Sequence, residues 1–307
     1  MPPCAAMRID LKTGFRCNNR CTFCVQGDRR SRDPDRSTAE LKACLEADRA
    51  HGDEVVFTGG ECTIRPDIGE LVRHARDLGY REIQLQTNGR RLGVERFCDE
   101  MIEAGVTEFS PALHGAHATT HDEQTQAPGS YRQTVQGIRN LVARGQRVIT
   151  NSVVTRRNLD ELPLLAELLV RLGVSQYQLA MVHPLGAAQD GFATVVPRLE
   201  QAAPQVRLAM VPAVRARIPA MVEAMPACFM HGFEAFIAEQ HIPATRIDDP
   251  NLQVPDYRHA RVTEGKAKGP PCQVCTWNAV CEGPWREYPE QHGWQAHQPR
   301  TDPPPGV

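Results

Sequence analysis

Short apolar runs alternate with longer amphipathic ones through the first two-thirds of the chain. The short runs, at 7–11, 54–57, 83–86, 107–109, 147–154 and 176–182, have the length and branched content of strands. The longer ones, at 38–51, 67–78, 94–104, 131–144 and 159–172, place apolar residues three and four apart, as helices do. Gly79, Gly105, Gly145 and Gly173 stand where four of these helices should stop. Strand–helix repetition predicts an α/β fold with a parallel sheet and helices outside it. Six strands predict a partial (β/α)6 barrel of TIM type, with a lumen lined by Leu, Val and Ile. Its chemistry should sit in the loops at the carboxyl ends of the strands.

The pattern degrades after about Ala187. Prolines recur at 197, 204, 212, 219 and 226, and from Asp248 onward the chain is rich in Pro, Gly and charge. The expected organisation is a core domain over 1–215, a small cysteine-rich domain over 216–297 and a loose tail over 298–307.

Composition narrows the function classes. The 307 residues carry 35 Lys plus Arg against 37 Asp plus Glu, a net charge of −2. Nucleic-acid binding rests on a basic surface, so no nucleic-acid partner is expected. No run approaches the length of a membrane helix, and the first residues lack the basic and apolar regions of a secretory signal. The chain reads as cytoplasmic, without a membrane partner. Eleven cysteines in that setting point to metal or catalytic sites rather than disulfides.

The densest cysteine motif is Cys17-x3-Cys21-x2-Cys24, in the loop after the first predicted strand. Three thiolates can hold three corners of a metal cluster, and a missing fourth ligand leaves coordination open for catalysis. A zinc site completed by a distant residue is the alternative.

This run resembles the signature of the radical S-adenosylmethionine (radical SAM) superfamily, C-x3-C-x-φ-C with φ aromatic, here Phe23. Further segments resemble the family in order: Thr58-Gly59-Gly60-Glu61, Gln86-Thr87-Asn88-Gly89, Ala112-Leu113-His114-Gly115 and Asn151 to Thr155. The resemblance covers roughly 7–185. It implies that Cys17, Cys21 and Cys24 hold a 4Fe–4S cluster whose fourth iron binds SAM. It places Phe23, Gly59, Gly60, Glu61, Asn88, His114, Asn151 and Met181 around that cofactor. Glycine at 59 and 60 would let a ligand approach the backbone. One electron from the cluster would break the S–C5′ bond, and the 5′-deoxyadenosyl radical would take a hydrogen atom from the substrate. An electron donor such as flavodoxin or ferredoxin is implied. Where the family usually has proline after its Gly-Gly-Glu, this chain has Cys62. Its thiol could donate a hydrogen atom to a substrate radical, or simply fill space.

A second run, Cys272-x2-Cys275-x5-Cys281, lies in a Pro/Gly-rich stretch, with Cys228 as the obvious fourth ligand. A metal can substitute there for a hydrophobic core. A zinc knuckle is one reading. In its context the run resembles the auxiliary-cluster domains called SPASM and twitch, which implies a single second 4Fe–4S cluster. That cluster is closed if Cys228 is a ligand and open to substrate if it is not. His114, His117 and His121 are spaced like metal ligands, but Gly115 interrupts any single helix. Arg29, Arg30 and Arg32 form a basic patch that reads as a solvated loop or as a contact for an acidic substrate or SAM. Trp277, Trp285, Trp294 and Tyr288 should pack the small domain, while Cys44 and Cys98 should be core and Cys4 incidental.

The reaction implied is hydrogen abstraction from a small-molecule or otherwise unspecified substrate: dehydrogenation, rearrangement or bond formation in cofactor or natural-product biosynthesis. The alternative is maturation of a ribosomally made peptide. No N-terminal peptide-recognition domain is expected before the first strand, so a separate recognition protein would then serve. A non-enzymatic zinc or iron–sulfur scaffold is a third reading.

Overall fold

The structure, a computed structural model, describes residues 7–304. Cys4 and the end of the expected tail lie outside the described residues. Six parallel strands follow the predicted order: β1 (Arg8–Lys12), β2 (Glu54–Thr58), β3 (Glu82–Thr87), β4 (Glu108–Pro111), β5 (Arg147–Val154) and β6 (Gln176–Met181). Helices α1 (Thr38–Asp48), α2 (Ile68–Asp77), α3 (Glu95–Ala104), α4 (Ala118–Thr125), α5 (Ser130–Ala143) and α6 (Leu162–Leu172) cross between them. Local signals set these boundaries. Ser37 and Glu40 close a capping box at the start of α1. Gly105 and Gly173 end α3 and α6 in the left-handed conformation.

Two features after Ala187 go beyond what the degraded pattern showed. Residues Leu199–Ala216 form an 18-residue helix, α7, with Pro204 and Pro212 inside it. A stripe of Leu199, Ala202, Ala203, Val206, Ala209, Met210 and Ala213 is buried, and α7 packs on α6. That burial outweighs the roughly 3 kcal/mol penalty of an interior proline. Pro204 also lies on the exposed side, where the carbonyl it leaves without a donor is open to solvent rather than to the core. The expected small domain, in turn, does not stand apart. It contributes β7 (Ala220–Glu223), parallel to β6, and β8 (Thr245–Asp249), parallel to β1, with β9 (Leu252–Val254) antiparallel on β8.

The expected tail is not loose at its start. Arg300 is buried, and its guanidinium bonds the carbonyl of Ala227 at 3.2 Å and Glu234 at 2.6 Å. The indole of Trp277 donates to the carbonyl of Asp302 at 3.0 Å.

The lumen also departs from the expected apolar lining. On β1, Ile9 and Leu11 are fully buried against the helices, while Arg8, Asp10 and Lys12 turn inward. The same alternation puts Glu82, Gln84 and Gln86 of β3, Glu108 and Ser110 of β4, and Gln176 and Gln178 of β6 on the inner face. A strand buried on both faces would read as a continuous apolar run. Here one face packs a core and the other lines a cavity of about 480 Å³, a size at which polar groups stay hydrated or meet a ligand.

Candidate active site

The loop that carries the first three cysteines leaves the carboxyl end of β1. Its backbone is tied to the loops that follow the other strands. Gly60 and Glu61, after β2, donate N–H bonds to the carbonyls of Gly14 and Arg16, both at 2.8 Å. Arg20 and Thr22 donate to the carbonyls of Thr125 and Gln124 at the end of α4, both at 2.9 Å. After β6, Ala187 donates to the carbonyl of Cys24 at 3.0 Å. Arg30 and Arg90 grip the loop from opposite sides, through the carbonyl of Asn19 and through Asn18 and Asn19 respectively. Arg29 forms a two-pronged pair with Asp249 of β8 at 2.8 and 2.9 Å and lies over the ring of Phe15. The expected basic patch is therefore largely internal bracing.

Cys17, Cys21 and Cys24 are free, half-buried thiols. Burial pushes the Cys17 thiol up to about 11, against a hydrogen bond from the Asn19 N–H at 3.4 Å. Cys21 is pushed up further, by burial first and then by its neighbours Cys17 and Cys24. Burial of this kind disfavours the thiolate at Cys17 and Cys21 unless a cation compensates it.

Gly59 and Gly60 are required by the protein's own backbone. A side-chain carbon at 60 would lie 2.3 Å from the carbonyl oxygens of Phe15 and Arg16, and one at 59 would lie 2.2 Å from that of Gly14. Gly59 is also left-handed, at φ 124°. The Glu61 carboxylate is buried and turned inward. One oxygen accepts from the Thr63 N–H at 3.0 Å and from the Thr63 and Thr87 hydroxyls at 2.6 Å, and the other from the Asn88 N–H at 2.6 Å. Asn88 itself reaches Asn18 of the cysteine loop at 2.6 Å.

Phe23 packs edge-on against His114, with ring centroids 4.7 Å apart. His114 is buried, and its Nδ1 accepts from the Val153 N–H at 3.1 Å. Burial, then the neighbouring His121, hold His114 well below the usual histidine range, so the ring is neutral. His121 Nδ1 accepts from the His114 N–H at 3.0 Å, whereas His117 is exposed and faces Glu161. The three histidines do not converge. Asn151 lines the lumen with its side-chain oxygen unpartnered, and Met181 is buried at the end of β6. Cys62 is fully buried and donates to the carbonyl of Gln86 at 3.5 Å, the environment of a packed core thiol. Cys98 is likewise buried, and Cys44 packs against the core from a half-buried position.

Cys228, Cys272, Cys275 and Cys281 line one small cavity together with Trp277 and His297. Burial, then Cys281, Cys272 and Cys275, push the Cys228 thiol up to about 12. The Arg300 N–H donates to Cys275 Sγ at 3.3 Å. This module is wired to the barrel by Trp285, which stacks on His183 at 3.8 Å and donates its indole N–H to the carbonyl of Met181 at 3.2 Å. Among the described residues, no three His, Cys, Asp or Glu side chains are placed to hold a single metal ion.

The model of the radical SAM superfamily matches residues 11–169. The chain belongs to the radical SAM superfamily. Among curated relatives, an AdoMet-dependent heme synthase of Methanosarcina barkeri is 32% identical over 177 residues, 57% of this chain and 50% of that protein. A probable GTP 3′,8-cyclase of Saccharolobus islandicus is 30% identical over 178 residues, 57% of each chain. The chain thus spans about half the length of the curated relatives it matches. Among solved structures, Streptococcus suis SuiB bound to S-adenosylmethionine superposes with TM-score 0.66 at 12% identity, over 92% of this chain and 73% of SuiB. That likeness is one of fold.

Membership of the radical SAM superfamily implies a 4Fe–4S cluster and SAM. The three thiols fit the cluster as a donor set: free, half-buried, close in the chain, and on a loop whose backbone is tied to the loops after β2 and β6 and to the end of α4. Motif reading did not find the polar lumen residues, among them Asp10, Glu108, Gln178, Glu223 and Tyr257. The signal was present in the strict alternation of Arg-Ile-Asp-Leu-Lys, Glu-Ile-Gln-Leu-Gln and Gln-Tyr-Gln-Leu.

Proposed function

We propose that the chain is a SAM-cleaving radical enzyme that removes a hydrogen atom from a polar substrate held in the barrel lumen. The observation that carries this reading is the placement of Cys17, Cys21 and Cys24 on the loop at the carboxyl end of β1, the strand whose Asp10 and Lys12 line the polar lumen. With a cluster on Cys17, Cys21 and Cys24 and SAM at its open iron, the pair supplies, on one-electron reduction, a 5′-deoxyadenosyl radical. The chain's own residues do the rest. Glu61 fixes the loops after β2 and β3, Arg30 and Arg90 fix the cysteine loop, and neutral His114 seats Phe23 against it. Cys228, Cys272, Cys275 and Cys281 are proposed to hold one auxiliary cluster with no open iron.

The charge of the lumen argues against a substrate like the GTP of the cyclase. GTP is a polyanion, whereas the lumen residues Arg8, Lys12 and Arg147 are outnumbered by Asp10, Glu54, Glu82, Glu108 and Glu223. Maturation of a ribosomally made peptide is the second reading. It is favoured by a fold shared with SuiB, solved with its precursor peptide SuiA, over 92% of this chain.

Anaerobic reconstitution tests the proposal. The protein should be brown, hold about eight irons if both clusters are four-iron, and release 5′-deoxyadenosine from SAM with dithionite. A colourless zinc protein without SAM cleavage would overturn it.

A further inference from the structure

Among the described residues, the ion pairs of the lumen leave two groups over, Arg8 at the amino end of β1 and Glu223 at the carboxyl end of β7. Asp10 is paired with Lys12 at 2.9 Å and Glu108 with Arg147 at 2.8 Å. Glu54 and Glu82 both take Arg81, each at 2.8 Å. Glu223, the last residue of β7, has no cation within ion-pair distance among the described residues. Its one hydrogen bond is from the neutral amide of Gln178, at 2.8 Å. The two cations packed behind it are taken by other acids. Lys266 is bound by Glu239 at 3.1 Å, and Arg261 by both oxygens of Glu282 at 2.7 Å. Three carboxyl groups thus meet two cations, and burial, then the Glu239 charge, hold the Glu223 carboxyl above its usual range, a penalty that a cation arriving beside it would relieve.

Its height in the barrel places Glu223 near the reacting end. It pairs with Ala180, which pairs with Val153, one step short of the ends of β5 and β6. Tyr257, from the short helix Tyr257–Ala260, lines the same cavity. Burial, then the Glu223 charge, push its phenol up.

The backbone beside Glu223 carries strain. Ala224 is left-handed at φ 61° and buried, a conformation alanine avoids by about 1 kcal/mol or more. It is held there by its N–H, which donates to Glu239 at 2.7 Å. Glu239 is fixed in turn by Lys266, whose ammonium lies over Trp285 at 4.2 Å. Strain of this kind persists where surrounding structure over-determines a functional geometry. Here the cysteine-rich module holds the end of β7 so that Glu223 faces the lumen.

We infer that Glu223 is a substrate-contacting carboxylate that receives a cationic group of the substrate, an ammonium or a guanidinium, at the carboxyl end of the lumen. This rests on the reading that the substrate lies in the lumen. A charge-assisted bond to a half-buried carboxylate that lacks a counter-ion should dominate selection for that group.

The test titrates the reconstituted full-length chain, with SAM, by calorimetry. The probes are Nα-acetyl N-methylamides of lysine, arginine, norleucine and glutamate. The lysine or the arginine probe should bind at least about tenfold more tightly than norleucine, and which of them wins separates ammonium from guanidinium. E223Q should erase the preference, Glu223→Asp should fall between, and Glu264→Gln, on an exposed site, should keep it. The inference is overturned if neither cation binds better than norleucine, if glutamate binds best, or if E223Q keeps the preference. The comparison of probes on the unmodified chain stands even if E223Q fails to fold. In the same preparation, 5′-deoxyadenosine release without cation preference sinks only the role of Glu223. Absence of that release sinks the enzymatic reading beneath it.

Discussion

Replacing Glu61 by Gln separates a bracing role from a ligand role for the Gly-Gly-Glu segment. The carboxylate is 3% exposed and accepts four hydrogen bonds, two from backbone N–H groups and two from hydroxyls. A glutamine must put its amide nitrogen at one of the two oxygen positions. In either place a donor faces a buried backbone N–H, of Asn88 at 2.6 Å or of Thr63 at 3.0 Å. One bond to a charged acceptor, about 1.5–3 kcal/mol, is lost, and the remaining bonds drop to neutral strength. We expect about 3–5 kcal/mol of destabilisation, a fall in Tm of roughly 6–15 °C. Urea unfolding followed by circular dichroism, under anaerobic conditions, measures it, with SAM affinity determined in parallel by equilibrium dialysis. The reasoning is refuted if E61Q unfolds within about 1 kcal/mol of the parent while SAM affinity falls by about tenfold or more. The carboxylate would then serve the cofactor rather than the loops.

Three further outcomes follow from the site. Alanine at Cys17, Cys21 or Cys24 should abolish 5′-deoxyadenosine release, whereas Cys272→Ala should retain uncoupled SAM cleavage while iron falls from about eight to about four per chain; equal loss of cleavage in both sets would contradict the division of labour. Stability should drop on acidification below about pH 6.5, since burial holds His114 well below that value and His121 and His183 at about 4. Protons then favour the unfolded chain, each such histidine contributing on the order of 1.4 kcal/mol per pH unit between its unfolded and folded pKa, and a flat urea midpoint from pH 7 to pH 5 would count against their neutral burial. Cys62→Ala should lower stability by about 1 kcal/mol and leave product formation intact, because its thiol packs in the core; a substrate radical that persists unquenched in the variant would restore the hydrogen-donor reading.

The sequence by itself determined the six strands, five of the six helices between them (α4 was missed) and the loop that bears the first cysteines. These follow from local periodicity and from close spacing along the chain, which survive without knowledge of any partner. The proline-bearing helix α7 was hidden, because its stripe from Leu199 to Ala213 outweighs Pro204 and Pro212 only once α6 lies against it. The tertiary structure alone decided that the segment after 216 supplies both ends of the sheet, and it gathered Cys228, which the sequence offered only as a candidate, beside three cysteines more than forty residues away. It alone turned Arg29 and Arg30 from a solvated patch into bracing, and left Glu223 without a counter-ion. Pairings across long separations depend on which surfaces pack together, and charge balance depends on which acid and base the packing brings within reach of one another. Neither quantity is written in local pattern.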